Sequence, residues 1–385
     1  MKRSKNRKKS KSRSHSVLFG ISAGTLMTVG AALLLLSYIS VVANPEKVWV
    51  LSVFGLLFFP IALLNLGLLI WACVKRSRLL VIPLLALLPS ISFIGRYVQL
   101  GGPKSIAAVE KEGEPAGNAS GAVKNAGGVK LLTYNVDRFA YKKKCSSRSE
   151  RRDSIFAFLR RQDADIICLQ EFYTRDPSRI RSYVKKHLPG YSVEYYLIKC
   201  GRGYSGNLTL SRFPARSKGK ILFEESTNLA FYSDYRLPSG KRFRVYNCHF
   251  ESYAISLSNL WKSLTGDKEQ LQNTENKYRK SLSRRPRQVN TVLENIEECP
   301  VEAIVCGDFN DNPMSYTYHR ISRGRKDTFV GGGSGFGASY AAFWPMLRID
   351  YVFVPKAWTP LVHRTQRIKY SDHYPILTRF ALSGE

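Results

Sequence analysis

The stretch AIVCGDFND, residues 303–311, carries the pattern that decides the fold. It opens with a short apolar run, typical of a buried strand, and places Asp308 and Asn310 where that strand ends. Catalytic side chains are usually displayed at strand ends and on loops. Taken alone, these two residues could equally cap a turn. The interpretation therefore depends on whether the same pattern returns elsewhere in the chain.

The pattern does return throughout residues 129–385. Short apolar runs such as VKLLTYNV, DIICLQ and RFRVYNCHF alternate with polar helical stretches, which predicts a mixed, sheet-rich α/β domain. Polar residues again follow these runs. In chain order, the polar residues that end a run or follow it are Asn135, Glu171, His249, Asp308, Asn310, Asp350, Asp372 and His373.

The residue types suit a divalent cation. Mg²⁺ or Mn²⁺ prefers oxygen ligands, and the predicted ligands are therefore Asn135, Glu171 and Asp372. Such a cation would polarise a phosphoryl oxygen and stabilise the charge on a leaving oxygen. Singly, each residue also has a structural interpretation, since Glu171 could end a strand in a salt bridge.

Attack by water on phosphorus requires a base, and the candidates are His249, His373 and Asp308. An acid beside a histidine fixes its tautomer and raises its basicity, which is the role predicted for Asp350 toward His373. His249 alone could equally be a buried histidine of the core. The chemistry predicted from the whole set is metal-assisted hydrolysis of a phosphoester.

Seven motifs, in their order along the chain, resemble the endonuclease/exonuclease/phosphatase superfamily, which includes DNase I-like nucleases, inositol polyphosphate phosphatases and neutral sphingomyelinases. The resemblance covers about residues 129–380 and implies a four-layer α/β sandwich, in which two mixed sheets pack face to face with helices outside. The motifs are TYNV, LQE, SGNLTLSRFP, NCHFES, GDFND, RIDYVFV and SDHYP.

The resemblance also implies roles for single residues. Glu171 matches the principal metal ligand, and Asp308 with Asn310 would align the attacking water and the phosphate. His249 and His373 would contact the scissile phosphate or act as general acid and base. His249 stands where abasic-site endonucleases often carry an aromatic residue, so the match is nearer to the DNase-like and sphingomyelinase-like branches.

Two further residues are predicted to bind substrate. Asn207, in SGNLTLSRFP, matches a phosphate-facing position of the superfamily, and Arg348 begins the RIDYVFV motif. Membership of a superfamily does not fix the substrate, which could be a nucleic acid, a phospholipid head group or a sugar phosphate. A phosphodiester is favoured over a phosphomonoester. The alternative is a membrane-tethered binding module without activity, and no obligate protein partner is predicted.

The residues before the soluble domain predict an all-α membrane region. Residues 17–43 and 48–74 are apolar and long enough to cross a bilayer, and 79–95 is a shorter apolar run with two prolines. A basic tail, 1–16, precedes these spans, and a flexible linker, 101–128, follows them. The chain thus looks like the membrane-anchored bacterial members of the superfamily.

Basic residues indicate the orientation of these spans. Lys and Arg are retained on the cytoplasmic side, and they are dense in 1–16 and return at 75–78. With a third crossing, the catalytic domain would lie outside the cytoplasmic membrane, in the periplasm. In that environment Cys145 and Cys200 could form a disulfide.

The net charge of +30 favours polyanionic partners. The segment 257–287 is helical in character and basic, and it could bind a nucleic-acid backbone or an anionic membrane, although a solvated helix face is the default interpretation. The Gly-rich run 331–340 lacks the Lys-Ser or Lys-Thr ending of a phosphate-binding P-loop. We interpret it as a loop at the rim of the site.

Overall fold

A computed structural model describes residues 23–101, 128–141, 147–252, 268–342 and 345–382 of the protein. The chain forms two compact units, one of Met1–Ile94 with Met314–Tyr316 and the other of Gly95–Pro313 with Thr317–Glu385. The predicted basic tail, almost all of the predicted linker and Cys145 lie outside the described residues.

The first unit is helical. Within the described residues, no single helix is both long enough and apolar enough to cross a membrane; α2 and α3 meet that criterion only as a pair, and the pair is bent by 63°. The helices are α1 Ala23–Ile39, α2 Val50–Leu56, α3 Phe58–Val74, α4 Val81–Leu87 and α5 Ser90–Ile94, with a 3₁₀ turn at Arg78–Leu80.

Prolines explain why the predicted spans are interrupted. Pro60 has no N–H, and its ring clashes with the carbonyl group four residues earlier, at Leu56, which is the last residue of α2. Pro89 lies between the end of α4 and the start of α5. The predicted run 48–74 is therefore two helices, and the run 79–95 is a 3₁₀ turn followed by two short helices.

The second unit carries fourteen strands in the described residues. They are β1 Val98–Gln99, β2 Val129–Asn135, β3 Ile166–Thr174, β4 Ser192–Cys200, β5 Gly203–Ser211, β6 Ser217–Leu222, β7 Leu229–Arg236, β8 Arg242–His249, β9 Glu302–Asp308, β10 Arg325–Asp327, β11 Gly335–Phe336, β12 Asp350–Pro355, β13 Thr359–Thr365 and β14 Ile376–Ala381.

Twelve of these strands form two six-stranded sheets. One has the order β10-β12-β9-β8-β7-β6, and the other has the order β13-β14-β2-β3-β5-β4. Each sheet is mixed, because β8 and β9 run parallel in the first sheet, β2 and β3 run parallel in the second, and the other neighbours are antiparallel. Of the predicted site residues, Asn135, His249 and Asp308 end β2, β8 and β9, Glu171 lies in the second half of β3, and Asp350 begins β12.

Helices cover the outer face of each sheet. The described helices of this unit are α6 Arg148–Gln162, α7 Ile180–His187, α8 Lys268–Glu297, α9 Tyr316–Ser322 and α10 Thr328–Gly332. Leu131 and Ile304 belong to a core between the sheets, Leu132 packs with α6 and α7, and Val305 packs with α8 and α9. Alternate residues of one strand thus enter different cores, as the pleat requires. The predicted α/β sandwich is confirmed.

The second unit begins before the linker. β1 pairs with β11 in a two-stranded antiparallel sheet, and Tyr97 is buried and accepts a hydrogen bond from the Gly337 N–H. We predicted that the catalytic domain begins at residue 129. Among the described residues, Gly95–Gly101 group with this domain as well, and Val98–Gln99 of that segment add a strand to the Gly-rich loop.

Candidate active site

Three of the predicted motifs meet at Asn135. Its side-chain amide donates to Asp308 Oδ2 at 2.9 Å and to Glu171 Oε1 at 3.3 Å. Asn135 and Glu171 belong to one sheet and Asp308 to the other, so the contact joins the two sheets at one end of the sandwich. Residues that are far apart in sequence are thereby brought together, as the strand-end pattern predicted.

Glu171 is placed by a bulge in β3. The pairing register of β3 and β5 shifts between Leu169 and Phe172, and Glu171 itself has a φ of 51°. Such bulges re-aim a side chain and are common beside active sites. Burial would raise the pKa of the Glu171 carboxyl group, but the charges of His249 and Arg138 outweigh it and lower that pKa below its usual range. Glu171 is therefore a carboxylate at neutral pH.

Gly307 is required for the placement of Asp308. It has a φ of +128°, and a Cβ built on it would lie 2.0 Å from the carbonyl oxygen of Cys248 on the neighbouring strand. Any larger residue would separate β9 from β8. Asn310 then turns back with a φ of 52°, and its backbone N–H donates to Asp308 Oδ1 at 2.8 Å. The GDFN sequence thus closes a tight turn around the Asp308 carboxyl group.

Two histidines flank Asp308. The Nε2 atoms of His249 and of His373 each lie 3.7 Å from Asp308 Oδ2. His373 Nδ1 lies 2.9 Å from Asp350 Oδ2, within hydrogen-bond distance. Asp350 pairs with Asp308 across the sheet, so the strand register itself places this acid beside the histidine.

Burial and charge act in opposite directions in this cluster. Burial would lower the pKa of His373, but the nearby carboxylates of Asp350 and Asp308 raise it well above its ordinary value. Burial raises the pKa of Asp308, although the charge of His373 opposes that effect. His373 is thus held as a buried imidazolium, and Asp308 is more basic than an exposed aspartate.

Asn207 lies in a small pocket with Glu171 and His249. The pocket has a volume of about 90 Å³, and Arg138 and Asn228 also line it. Asn207 is fully buried, and its amide nitrogen donates to the Asn247 carbonyl oxygen at 2.8 Å. The position agrees with the predicted phosphate-facing role, which stays a prediction.

A buried polar network behind the pocket was missed by the sequence analysis. Gln170 donates to Asn247 Oδ1 at 2.6 Å and to Thr133 Oγ1 at 3.0 Å, and the Asn247 amide donates to the Leu208 carbonyl oxygen at 2.9 Å. Gln170 of LQE and Asn247 of NCHFES therefore join the two sheets. Polar residues inside otherwise apolar strands were the available signal.

Arg348 does not join the site. Its side chain is fully buried, and its guanidinium donates to both carboxylate oxygens of Asp327, at 2.5 and 2.7 Å. It also donates to the carbonyl oxygen of Arg96 at 2.8 Å. The structure thus gives Arg348 a place in a buried ion pair, and the predicted contact with substrate has no support in this geometry.

Arg138 and Asp137 join the site although the sequence analysis did not select them. Arg138 Nε lies 3.0 Å from Glu171 Oε2. Burial, together with the charges of Asp372 and Glu171, raises the pKa of Asp137 to about 7. Asp137, Arg138 and Phe139 all have positive φ, at 44°, 46° and 56°. Strained backbone conformations are frequent at functional sites, and the sequence VDRF contains no residue pattern that predicts one.

The residues present fit a divalent cation. Glu171 is ionised beside the Asn135 amide, and the charges of Asp372 and Glu171 contribute to the raised pKa of Asp137, so these three carboxyl groups lie near one another. Asp308, Asp350 and His373 also offer ligand atoms within 4.8 Å of one another. In that second group both His373 nitrogens already face carboxylates, so we interpret it as an acid–base group.

The basic helix α8 is only partly a solvated face. Arg285 is buried, lies 3.1 Å from Asp311 Oδ2, and donates from Nε to the Glu251 carbonyl oxygen at 2.8 Å. Arg284, beside it, pairs with the exposed Glu225. Arg285 belongs to the segment 257–287, for which binding to a nucleic-acid backbone or an anionic membrane was the alternative to a solvated helix face. It instead stabilises the loop that follows Asp308.

Comparisons with solved structures agree with this fold. The chain is similar to an endonuclease/exonuclease/phosphatase from Bacteroides vulgatus, with 18% identity, a TM-score of 0.50, and coverage of 66% of this chain and 99% of that one. It is similar to one from Beutenbergia cavernae DSM 12333, with 16% identity, a TM-score of 0.51, and coverage of 67% and 72%. It is also similar to the human Nocturnin catalytic domain with bound sulfate, with 16% identity and a TM-score of 0.50. That match covers 67% of this chain and 94% of the Nocturnin chain.

Comparisons of sequence identify the family. No curated protein matches the chain. Residues 17–97 match a domain of unknown function. Residues 132–373, more than half of the chain, match the family described as "Endonuclease/Exonuclease/phosphatase family", and they contain all of the active-site residues described above. The chain therefore belongs to the endonuclease/exonuclease/phosphatase family.

Proposed function

We propose that this protein hydrolyses a phosphoester, with a phosphodiester favoured, by in-line attack of water. One observation carries the proposal: Glu171, Asp308 and the Asp350–His373 pair converge on one end of the sandwich, beside a pocket of about 90 Å³. Nucleophile activation, charge stabilisation and a cavity of the size of a phosphate group are thereby supplied together.

The site would hold Mg²⁺ or Mn²⁺ through Glu171, with Asn135 and Asp372 contributing. When bound, such a cation polarises a phosphoryl oxygen and offsets the charge on the leaving oxygen. Arg138 places a cationic side chain against the same carboxylate, with its Nε 3.0 Å from Glu171 Oε2.

Asp308 and His373 have different roles in the reaction. Asp308 Oδ2, which is more basic than an exposed carboxylate, accepts a proton from the attacking water, and Asn310 holds that carboxyl group in place. His373, kept protonated by Asp350, presents Nε2 to the scissile phosphate and stabilises its developing charge. His249 lies beside both carboxylates, with its Nε2 atom 3.6 Å from Glu171 Oε1 and 3.7 Å from Asp308 Oδ2.

We also propose that the helical unit lies in the bacterial cytoplasmic membrane, with the N-terminus inside and the catalytic unit in the periplasm. The helical unit exposes large apolar side chains to solvent, among them Val74 at 75% and Ile91 at 72%. A fusion of alkaline phosphatase after residue 128, compared with a fluorescent protein at the same point, tests the orientation. Fluorescence together with an inactive phosphatase fusion would place the catalytic unit in the cytoplasm.

The activity itself is tested with the full chain and bis(p-nitrophenyl) phosphate, compared with p-nitrophenyl phosphate. We expect release of nitrophenolate from the diester, its loss in EDTA, and its return on addition of Mg²⁺ or Mn²⁺. Hydrolysis that persists unchanged in EDTA would exclude the metal. If neither the diester nor the monoester is hydrolysed, a binding module without activity is favoured.

A further inference from the structure

A second and much larger cavity lies beside the candidate active site, within the catalytic unit. Its volume is about 1200 Å³, and it is bounded by the first turns of α6, by the end of β3 and by α7. Pockets for single small ligands usually measure roughly 300–1,000 Å³. This groove therefore has the size for a ligand longer than one small molecule.

The groove is strongly basic. Six of the described side chains that line it are Arg or Lys, whereas Asp176 is the single acid among those described. Asp176 is engaged by Arg179, at 3.2 Å. Arg148, Arg175 and Lys186 are exposed to solvent at its wall. The charge selects a ligand that carries several negative groups.

Aromatic rings are interleaved with these cations. The Arg148 guanidinium lies 4.6 Å from the centre of the Tyr173 ring, and that of Arg152 lies 4.2 Å from the centre of the Tyr183 ring. Stacked guanidinium and aromatic planes are the surfaces on which unpaired bases stack in single-stranded nucleic-acid sites.

A lipid surface fits the groove less well. Peripheral membrane binding combines basic residues with apolar side chains that enter the bilayer. The large apolar side chains that line the groove, Phe139, Phe172 and Ile180, are all buried. A concave, polar and aromatic wall matches a chain of phosphates and planar bases.

The groove begins next to the active site, because Phe139 and Phe172 line the groove and the residues directly before them, Arg138 and Glu171, line the small pocket. Glu171 of the active site is followed along β3 by Phe172, Tyr173 and Thr174, and by Arg175 just after the strand, all of which line the groove. A polymer whose phosphate lies at Glu171 can therefore extend along β3 without leaving the surface of the catalytic unit.

Resting on the proposed hydrolase function, we propose that this groove binds the strand that flanks the scissile phosphate, and that the substrate class is a single-stranded nucleic acid. The phosphates meet Arg148, Arg175 and Lys186, and a base stacks on Tyr173. The groove supplies affinity and the active site supplies hydrolysis.

The test measures binding of a short fluorescent single-stranded oligonucleotide to the full chain in EDTA, across a series of salt concentrations. We compare Arg148→Gln/Arg175→Gln with Arg236→Gln/Arg242→Gln, which removes the same charge at the opposite end of β7 and β8. Each lost contact to a single-strand phosphate lowers the salt slope by about 0.7, so the groove variant should lose about 1.4 and the control nothing. Tyr173→Leu should reduce the preference for this oligonucleotide over an abasic one of equal length.

Equal losses in the two double variants would overturn the proposal. So would a groove variant that loses binding to phosphatidylserine vesicles but keeps binding to the oligonucleotide, which would assign the groove to a membrane surface. Because binding is measured in EDTA, it does not depend on turnover. Hydrolysis of bis(p-nitrophenyl) phosphate by the unaltered chain reports separately on the proposed function.

Discussion

The Ser339 hydroxyl oxygen lies 2.9 Å from the backbone nitrogen of Asp350 and accepts its N–H. The Ser339 carbonyl oxygen accepts the N–H of Tyr374 at 2.6 Å, directly after His373. One fully buried serine thus holds the backbone on both sides of the Asp350–His373 pair. Ser339 belongs to the Gly-rich run 331–340, which was predicted as a loop at the rim of the site.

Ser339→Ala should lower kcat roughly 10- to 100-fold, the range seen when a group that orients a functional residue is lost. The Asp350 carboxylate would be oriented less well, so the pKa of His373 should fall and the alkaline limb of the rate profile should move to lower pH. A pH–rate profile and a thermal unfolding curve check this. A lower unfolding midpoint with an unmoved alkaline limb would mean that Ser339 only stabilises the fold.

Asp350→Asn tests the same pair directly. The pKa of His373 is raised because two carboxylates outweigh burial, so removal of one of them should lower that pKa. A raised histidine pKa stabilises the folded state below about pH 6.5, and this contribution disappears as the pH rises through the folded value. The variant should lose that stability at acidic pH. Titration of the His373 ring protons by NMR measures the change, and an unchanged pKa would contradict the assignment.

Arg285→Gln should destabilise the catalytic unit by about 3–5 kcal/mol, the cost of leaving one partner of a buried ion pair without the other. Asp311 would lose its buried cation. Arg284→Gln is the matched control, because it removes the same charge one residue earlier from a pair with the exposed Glu225. Denaturant unfolding of both variants measures the difference. Similar midpoints for the two would show that burial of Arg285 contributes little.

His363 predicts a specific sensitivity to acid. Burial, together with the charge of Arg348, lowers its pKa to about 3, so it is neutral in the folded protein. The unfolded chain takes up the proton below about pH 6.5, so stability falls from that pH toward pH 3. At pH 5 the loss is about 2 kcal/mol. His363→Leu should remove that part of the decline between pH 7 and pH 5. If the unaltered chain and His363→Leu lose the same unfolding free energy between pH 7 and pH 5, His363 is not the source of the acid sensitivity.

The parts of the site that lie on strand ends could be predicted from sequence. Asn135, Glu171, His249 and Asp308 each follow an apolar run, and the structure brings them together. Arg348 shows the limit of that method, because a strand-end arginine and a buried ion-pair arginine have the same local pattern. Its partner Asp327 lies 21 residues away, and pattern alone does not connect them.

Two other features depend on tertiary structure alone. The left-handed turn of Asp137 to Phe139 is held from outside, since the buried Arg151 of α6 donates to the Phe139 carbonyl oxygen. Local propensity disfavours that turn and therefore could not predict it. The bend between α2 and α3 has a signal in the sequence, because Pro60 interrupts the apolar run, whereas hydropathy alone predicts one continuous span.

Glu171, Asp308 and His373 are proposed to act together on a phosphoester. The most direct test of this proposal is the rate of hydrolysis of bis(p-nitrophenyl) phosphate, with Mg²⁺ or Mn²⁺, by the full chain and by Glu171→Gln, Asp308→Asn and His373→Ala. Each substitution removes a charge at the site, so we expect each rate to fall by roughly 10²-fold or more while the circular dichroism spectrum is unchanged. Near-normal turnover by all three folded variants would contradict the account.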